Sequence, residues 1–369
     1  MTRLGDVATY INGFAFKPDD WSEEGLPIIR IQDLTGNSYQ MNRYAGDYNP
    51  KYEVNRGDVL ISWSASLGVY VWQGEKALLN QHIFKVIFDK CDVDKSFYVH
   101  QVAAILEKAA SQAHGATMKH LTKPVFDALP FYLPDLPTQQ RIADTLDKVS
   151  EGIGLCRKML GKLDLMVKAK FVEMFGDAKV NPFDWVQSTI GASCALKSGT
   201  SLPIEKENEC GNIPYVKVGD MNYVGNEKYI TTSSRFVTEE TAGAGIFPVG
   251  SVVFPKRGGA IGTNKKRLTS VPICADLNVM GVIPGKQLLP QYLLAYFDTI
   301  DLGLLNNGSS VPQINNKDIA PLIISIPPIE LQEQFATFVS KIDKSRLTIQ
   351  QVLSKMEMVK LALMQEYFG

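Results

Sequence analysis

The chain is one unit written twice, and that duplication limits its architecture before any local reading does. Gly115 to Gly176 align without a gap on Gly308 to Gly369, a constant offset of 193. Pro134 matches Pro327, Gln139 matches Gln332, Ala143 matches Ala336, Leu160 matches Leu353, Glu173 matches Glu366, and each copy closes on Phe-Gly, at 175-176 and 368-369. Upstream the offset drifts but the pattern persists. Leu26-Pro27-Ile28-Ile29-Arg30-Ile31 answers Ile213-Pro214-Tyr215-Val216-Lys217-Val218, and Gly57-Asp58-Val59-Leu60-Ile61 answers Gly250-Ser251-Val252-Val253-Phe254.

Each copy changes character midway. Its first part is broken by turn residues and carries short runs rich in β-branched and aromatic residues, Ile28 to Ile31, Val59 to Trp63 and Ile83 to Phe88, which read as strands. Short helices are expected at Phe97 to Lys108 and Gln291 to Phe297. A proline stop follows, Leu133-Pro134-Asp135-Leu136-Pro137 or Ile326-Pro327-Pro328-Ile329, after which Thr138 can cap a helix. Beyond it Ile142, Leu146, Val149, Ile153, Cys156, Leu160, Leu163 and Val167 recur at alternating spacings of four and three, the seam of a coiled coil. That predicts a helix of roughly 38 residues, about 57 Å long. The second copy repeats the stripe with Phe335, Val339, Ile342, Ile349, Leu353 and Met356, but places Arg346 and Lys360 on seam positions. There either the register slips or the aliphatic stems pack while the charges reach water. Two similar globules joined by two similar long helices, packed antiparallel, would sit at opposite ends of a rigid spacer with approximate two-fold symmetry.

Composition narrows the class. With 45% apolar and 21% charged residues the chain can bury two cores and is not disordered. Its 38 Lys and Arg against 39 Asp and Glu give a net charge of -1, which excludes indiscriminate coating of nucleic acid and leaves only local basic patches. No apolar stretch is long enough to cross a bilayer, and Met1 to Phe14 lacks the pattern of a secretory signal. Cys91, Cys156, Cys194, Cys210 and Cys274 are odd in number and far apart, which suits reduced cytoplasmic thiols.

The order of globule, proline stop with a following Gln, and long helix ending in Phe-Gly, then the same again, resembles the specificity subunit of a type I restriction-modification system. Supporting strings are Gly57-Asp58-Val59-Leu60-Ile61-Ser62-Trp63-Ser64-Ala65, Leu79-Asn80-Gln81-His82-Ile83, Gly115-Ala116-Thr117-Met118-Lys119-His120-Leu121-Thr122-Lys123, Asn181-Pro182-Phe183-Asp184-Trp185 and Val311-Pro312-Gln313-Ile314-Asn315. The resemblance implies an α/β fold: two similar target-recognition domains at 1–135 and 179–327, separated by long antiparallel coiled-coil helices at 136–178 and 328–369. It implies that each domain reads one half of a bipartite double-stranded DNA site. It also implies no catalytic centre and no cofactor in this chain. Two DNA-methyltransferase subunits would dock on the helices, carry S-adenosylmethionine and methylate adenine N6, and can in turn recruit endonuclease subunits.

Recognition asks for cations to hold phosphates and polar groups to read base edges. In the second globule the segment after Val252-Val253-Phe254 offers Lys256, Arg257, Thr263, Asn264, Lys265, Lys266 and Arg267, with glycines that let backbone approach a phosphate. For Lys265, Lys266 and Arg267 an ordinary solvated hairpin is an equal reading; Arg257, beside glycine and after a strand, is favoured as functional. The matching loop of the first globule holds Trp63 and Ser64 and no cation, as two readers of different half-sites require. Trp63 can stack on a base or close the core. Asn80, Gln81 and His82 can contact bases or form the turn before Ile83. Lys119, His120 and Lys123, and on the matching segment Gln313, Asn315, Asn316 and Lys317, read as backbone contacts. Arg30 and Lys217 occupy matched places, as phosphate contacts or as plain surface cations.

An enzyme reading finds little. No phosphate-binding Gly-x-x-x-x-Gly-Lys-Ser/Thr loop exists, Asn181-Pro182 lacks the second proline of an adenine-methyltransferase motif, and His82, His100, His114 and His120 never join cysteines at zinc-ligand spacing. A DNA specificity subunit is the preferred reading; a coiled-coil scaffold without DNA readout and an enzyme with an unrecognised site stay open.

Overall fold

The computed structural model describes residues 2–36, 40–112, 122–177, 180–305 and 311–369. They divide into two compact units, Met1–Arg157 with Gln351–Gly369, and Lys158–Gln350. Both long helices are continuous and contribute to each unit: Leu136–Phe175 and Ile329–Phe368, of 40 residues each.

In the first unit Thr9–Asn12, Ile83–Ile87, Val59–Ser62 and Gly68–Val71 form one antiparallel sheet in that order. A second sheet, Arg43–Tyr44, Leu26–Ile29, Ala77–Leu79 and Glu53–Val54, contains one parallel pairing, Ile28 opposite Leu78. The second unit repeats the plan. Cys194–Ser198, Val279–Pro284, Val252–Pro255 and Arg267–Thr269 follow in the same order, and Tyr215 pairs in parallel with Cys274. The register repeats too: Ile61 lies opposite Phe84 as Phe254 lies opposite Met280. Even a close approach is duplicated. A Cβ on Gly13 would overlap the carbonyl oxygen of Asn80, and one on Gly199 that of Asp276, so only glycine fits where the first strand of each sheet runs past the turn that leads into its neighbour, Ile83–Ile87 or Val279–Pro284.

Three expectations change. The strand expected at Ile28 to Ile31 is Leu26–Ile29, because the Arg30 N–H donates to Asp33 Oδ2 at 2.8 Å and caps a short helix, Ile31–Leu34. The helix expected at Phe97 runs Lys95–Gln112, and the one at Gln291 runs Pro290–Asp298. The first long helix is capped by Asp135 rather than Thr138. Asp135 Oδ1 accepts from the Thr138 N–H at 3.2 Å, and Pro137, which has no N–H to satisfy, sits comfortably in the first turn.

The helix ends are sewn to their own unit by the duplicated glutamines. Gln332 is fully buried: its Oε1 accepts from Leu289 N at 2.8 Å, and its Nε2 donates to the carbonyls of Gln287 and Pro327, both at 2.9 Å. Gln139 does the same with Asp94 N and Pro134 O, each at 2.8 Å. Each glutamine therefore satisfies backbone groups both where its own chain enters the long helix and just ahead of the neighbouring helix, Lys95–Gln112 or Pro290–Asp298.

The stripe read from the sequence is the packing face. In the second unit Phe171, Phe175 and Phe335 are buried with Tyr292, the Phe171 and Phe335 rings lying 5.7 Å apart, and each aromatic contributes about 1.5–3 kcal/mol. In the first unit Ile142 and Leu146 are buried, and Phe368 lies 5.6 Å from Phe97. Inside each unit the two helical segments run antiparallel: Asp164 meets Arg346 and Phe171 meets Phe335 in the second, while Arg157 meets Glu357 at 2.7 Å and Ile142 borders the same groove as Phe368 in the first.

Candidate nucleic-acid interface

In the second unit one end of the antiparallel sheet gathers several of the predicted residues. Lys256 follows Val252–Pro255 directly, and its Nζ donates to Ser198 Oγ at 3.0 Å at the end of the neighbouring strand. Burial, and then the charge of Arg257, hold the Lys256 ammonium below the usual lysine range. Arg257 is exposed, with Gly258 behind it at φ 73°. Arg257 also forms an antiparallel bridge with Gln313: Ile314 N donates to Lys256 O at 2.9 Å, and Gly258 N to Pro312 O at 2.8 Å. Gln313 Nε2 in turn donates to Asn315 Oδ1 at 2.9 Å. Asn315 precedes the short helix Asn316–Ile319 and donates its N–H to Asp318 Oδ2 at 2.8 Å, leaving Lys317 exposed on that helix.

The rest of the segment turns partly inward. Asn264 sits in the left-handed region at φ 53°, and its Oδ1 accepts from Lys266 Nζ at 2.8 Å and Leu302 N at 2.9 Å. Lys266 is 6% exposed, donates also to Ile300 O at 2.6 Å, and is depressed by burial to about 8. Arg267 is half-buried, donates to the Lys266 and Met221 carbonyls, and is likewise lowered by burial. Lys265 donates to Asn222 Oδ1, and Thr263, exposed, to Ala260 O at 2.7 Å. So the run of three cations divides: Lys266 serves its own unit, and Lys265 is half-exposed at the surface.

The matching edge of the first unit is aromatic and neutral. Trp63 is half-buried, stacks on Phe84 at 5.6 Å, lies 4.9 Å from the His82 ring, and donates Nε1 to Asn12 Oδ1 at 3.2 Å. Ser64 is 6% exposed. Asn80, Gln81 and His82 form the turn before Ile83–Ile87: Asn80 Oδ1 accepts from Gln81 N at 2.9 Å, Gln81 N also donates to Phe14 O, and His82 takes φ 71°. Lys123 opens the short helix Lys123–Asp127 and pairs with Asp127 at 2.6 Å. Lys119 and His120 lie outside the described residues.

Arg30 and Lys217 stand at equivalent places and are engaged equivalently. Arg30 lies 3.6 Å from Asp33 and 5.6 Å above the Trp21 ring; Lys217 pairs with Glu207 at 2.7 Å and lies 5.5 Å above Tyr215. Sequence reasoning missed Ser198 and Asn12, which hold Lys256 and Trp63 from 58 and 51 residues away. No local spacing could have flagged them, because only strand pairing brings them near. Among the described residues no group of three His, Cys, Asp or Glu side chains is placed to hold a metal ion, and no helix is long and apolar enough to cross a membrane.

Comparison with known proteins agrees with this duplicated plan. A model of the type I restriction modification DNA specificity domain matches residues 1–163 and again 182–357. The type I restriction enzyme EcoBI specificity subunit of Escherichia coli is 29% identical over 168 residues, 45% of this chain and 35% of that protein. The MjaVIII specificity subunit of Methanocaldococcus jannaschii is 21% identical over 373 residues, 93% of this chain and 85% of its own. The chain therefore spans about a third of the bacterial relative in that match and most of the archaeal one. Two solved structures share the fold: the S subunit of a type I restriction-modification system from M. genitalium (TM-score 0.57, 14% identity, 100% of this chain and 95% of that one), and a chain from a study of type I R-M complex assembly (TM-score 0.55, 16% identity, 100% and 96%).

Proposed function

Because this chain belongs to the type I restriction modification DNA specificity domain family, we propose that it is the sequence-reading, non-catalytic subunit of a cytoplasmic DNA methyltransferase assembly, each unit reading one half of a split duplex target. The observation that carries the reading is the contrast at one structural address. After the same strand, in the same register, one unit presents the exposed Arg257 beside a half-buried Lys256, and the other a half-buried Trp63 beside a buried Ser64. A shared scaffold with unlike chemistry at its edge is what two readers of unlike half-sites need. A shared scaffold serving only as a protein platform would have no use for it.

The long helices are the natural seat of the partners. They carry exposed apolar residues off the seam, Leu155 and Leu165 among them. Two methyltransferase subunits, one for each copy of the repeat, would supply S-adenosylmethionine and transfer its methyl group to adenine N6, with this chain needing no cofactor of its own. Endonuclease subunits would join through them. With a net charge of -1, attraction to DNA falls to local cations, so affinity should fall steeply with salt while specificity stays with base-edge contacts.

The test is to coexpress the chain with its methyltransferase in a host lacking adenine methylation and to map methylated adenines across the genome. The expected result is one split motif, two short specified halves around an unspecified gap. An unbroken motif, or methylation without sequence preference, would overturn the assignment.

A further inference from the structure

The bridge between Arg257 and Gln313 fixes more than backbone. Its two hydrogen bonds, Ile314 N to Lys256 O and Gly258 N to Pro312 O, flank the pair rather than join it. Arg257 and Gln313 are thus a non-hydrogen-bonded antiparallel pair, the arrangement in which facing side chains come closest and project from the same face. A guanidinium and a carboxamide are set side by side on a two-residue ladder rung although they are 56 positions apart in sequence (313 less 257).

Each member is held in a different way. The Arg257 guanidinium is exposed and makes no hydrogen bond or ion pair with any described residue, so its fork of donors is unspent. Lys256, next to it, is drawn aside to Ser198. Gln313 is half-buried and gives one N–H to Asn315, which fixes its amide plane and leaves its Oε1 acceptor and second N–H available. In a major groove a guanidinium matches guanine O6 and N7 and a carboxamide matches adenine N6 and N7.

We propose that Arg257 and Gln313, joined by their β-bridge, are the base-reading pair of the second unit, Arg257 taking a guanine and Gln313 the adjacent adenine of one half-site. This deepens the reading above and rests on it. At the offset of 193 that relates the two strands, Arg257 aligns with Ser64, which is buried in the first unit, so the exposed guanidinium belongs to the second unit alone.

The experiment uses the full chain coexpressed with its methyltransferase, with methylated adenines mapped for wild type, Arg257→Ala, Arg257→Lys and Gln313→Ala. A guanine at one position of one half should become degenerate in both Arg257 variants, with a loss of discrimination of roughly tenfold or more. Lysine keeps the charge but not the two-pronged geometry, so it should not restore the guanine. Gln313→Ala should release the neighbouring position, and the other half-site should stay as it was. An unchanged motif in either alanine variant overturns the pair. So does full restoration of the wild-type motif by Arg257→Lys, which marks a phosphate contact. Failure of the wild type to give any split motif sinks the DNA-reading assignment itself and is told apart by that control.

Discussion

Arg346 of the second long helix donates to Asp164 of the first at 2.5 Å within the second unit, its side chain only 16% exposed although it occupies a seam position. The aliphatic stem packs among the helices while the charge meets a partner from the facing helix instead of reaching water or shifting the register. A charge largely withdrawn from solvent gains little net stability from such a pair. Removing it strands nothing, since Asp164 is largely exposed and Asp343 keeps Lys228 at 2.7 Å. We expect Arg346→Met, which keeps the stem, to unfold in urea at or above the wild-type midpoint, and Arg346→Ala to lose about 1–2 kcal/mol by lost packing. A methionine variant less stable than the alanine one would show that the charge itself holds the helices.

The buried glutamines should matter more than any surface ion pair. Gln332→Ala leaves one amide hydrogen and two carbonyls without partners inside the second unit, at about 1–3 kcal/mol for each group left unsatisfied. Gln139→Ala strands one amide and one carbonyl, so its loss should be the smaller of the two. Urea unfolding of both variants reads the difference. Equal losses, or losses below about 1 kcal/mol, would mean that water enters and takes over.

Those glutamines also show what was legible beforehand. Their equal placement after a proline stop was visible in the repeat, as were the seam residues Ile142, Leu146 and Phe335, because periodicity and self-similarity are properties of the string. Their partners were not. Leu289 lies 43 residues from Gln332, and the backbone group that needs a hydrogen bond leaves no mark on composition. The sequence does not separate Asp135 from Thr138 as the cap, because threonine is also a favoured capping residue and the proline between them reads as a stop. Lys265, Lys266 and Arg267 read alike in sequence. They part only because Asn264 adopts a left-handed turn and the carbonyl of Ile300, 34 positions on from Lys266, waits inside.

Lys266 gives a pH signature. Burial lowers it from 10.5 to about 8 in the folded chain. Below about pH 8 both states carry the proton and the penalty is constant, up to about 3 kcal/mol. Between about 8 and 10.5 the folded chain releases the proton while the unfolded chain keeps it, so the unfolded state binds more protons and stability rises with pH. Lys266→Met removes that rise. Its lost hydrogen bonds to Asn264 and Ile300 add only a constant. The difference in unfolding free energy between wild type and variant should therefore widen in favour of wild type from pH 8 to 10, and a flat difference would show that Lys266 is not desolvated.

Phosphate contacts and base contacts should separate by their response to salt. Lys317 is exposed on Asn316–Ile319, immediately after Asn315, and so beside the Arg257–Gln313 rung without being part of it. A cation there can reach the backbone of a duplex whose bases are read by its neighbours. Each phosphate neutralised adds about 0.9 to the slope of log K against log salt. Lys317→Ala should lower that slope by about that amount in the assembled methyltransferase and weaken matched and mismatched duplexes by the same factor, leaving the methylated motif unchanged. Arg257→Ala should do the reverse, discriminating less at one base pair. The two variants thus test each other: a motif altered by Lys317→Ala, or a slope unaffected by it, would remove this residue from the phosphate contacts.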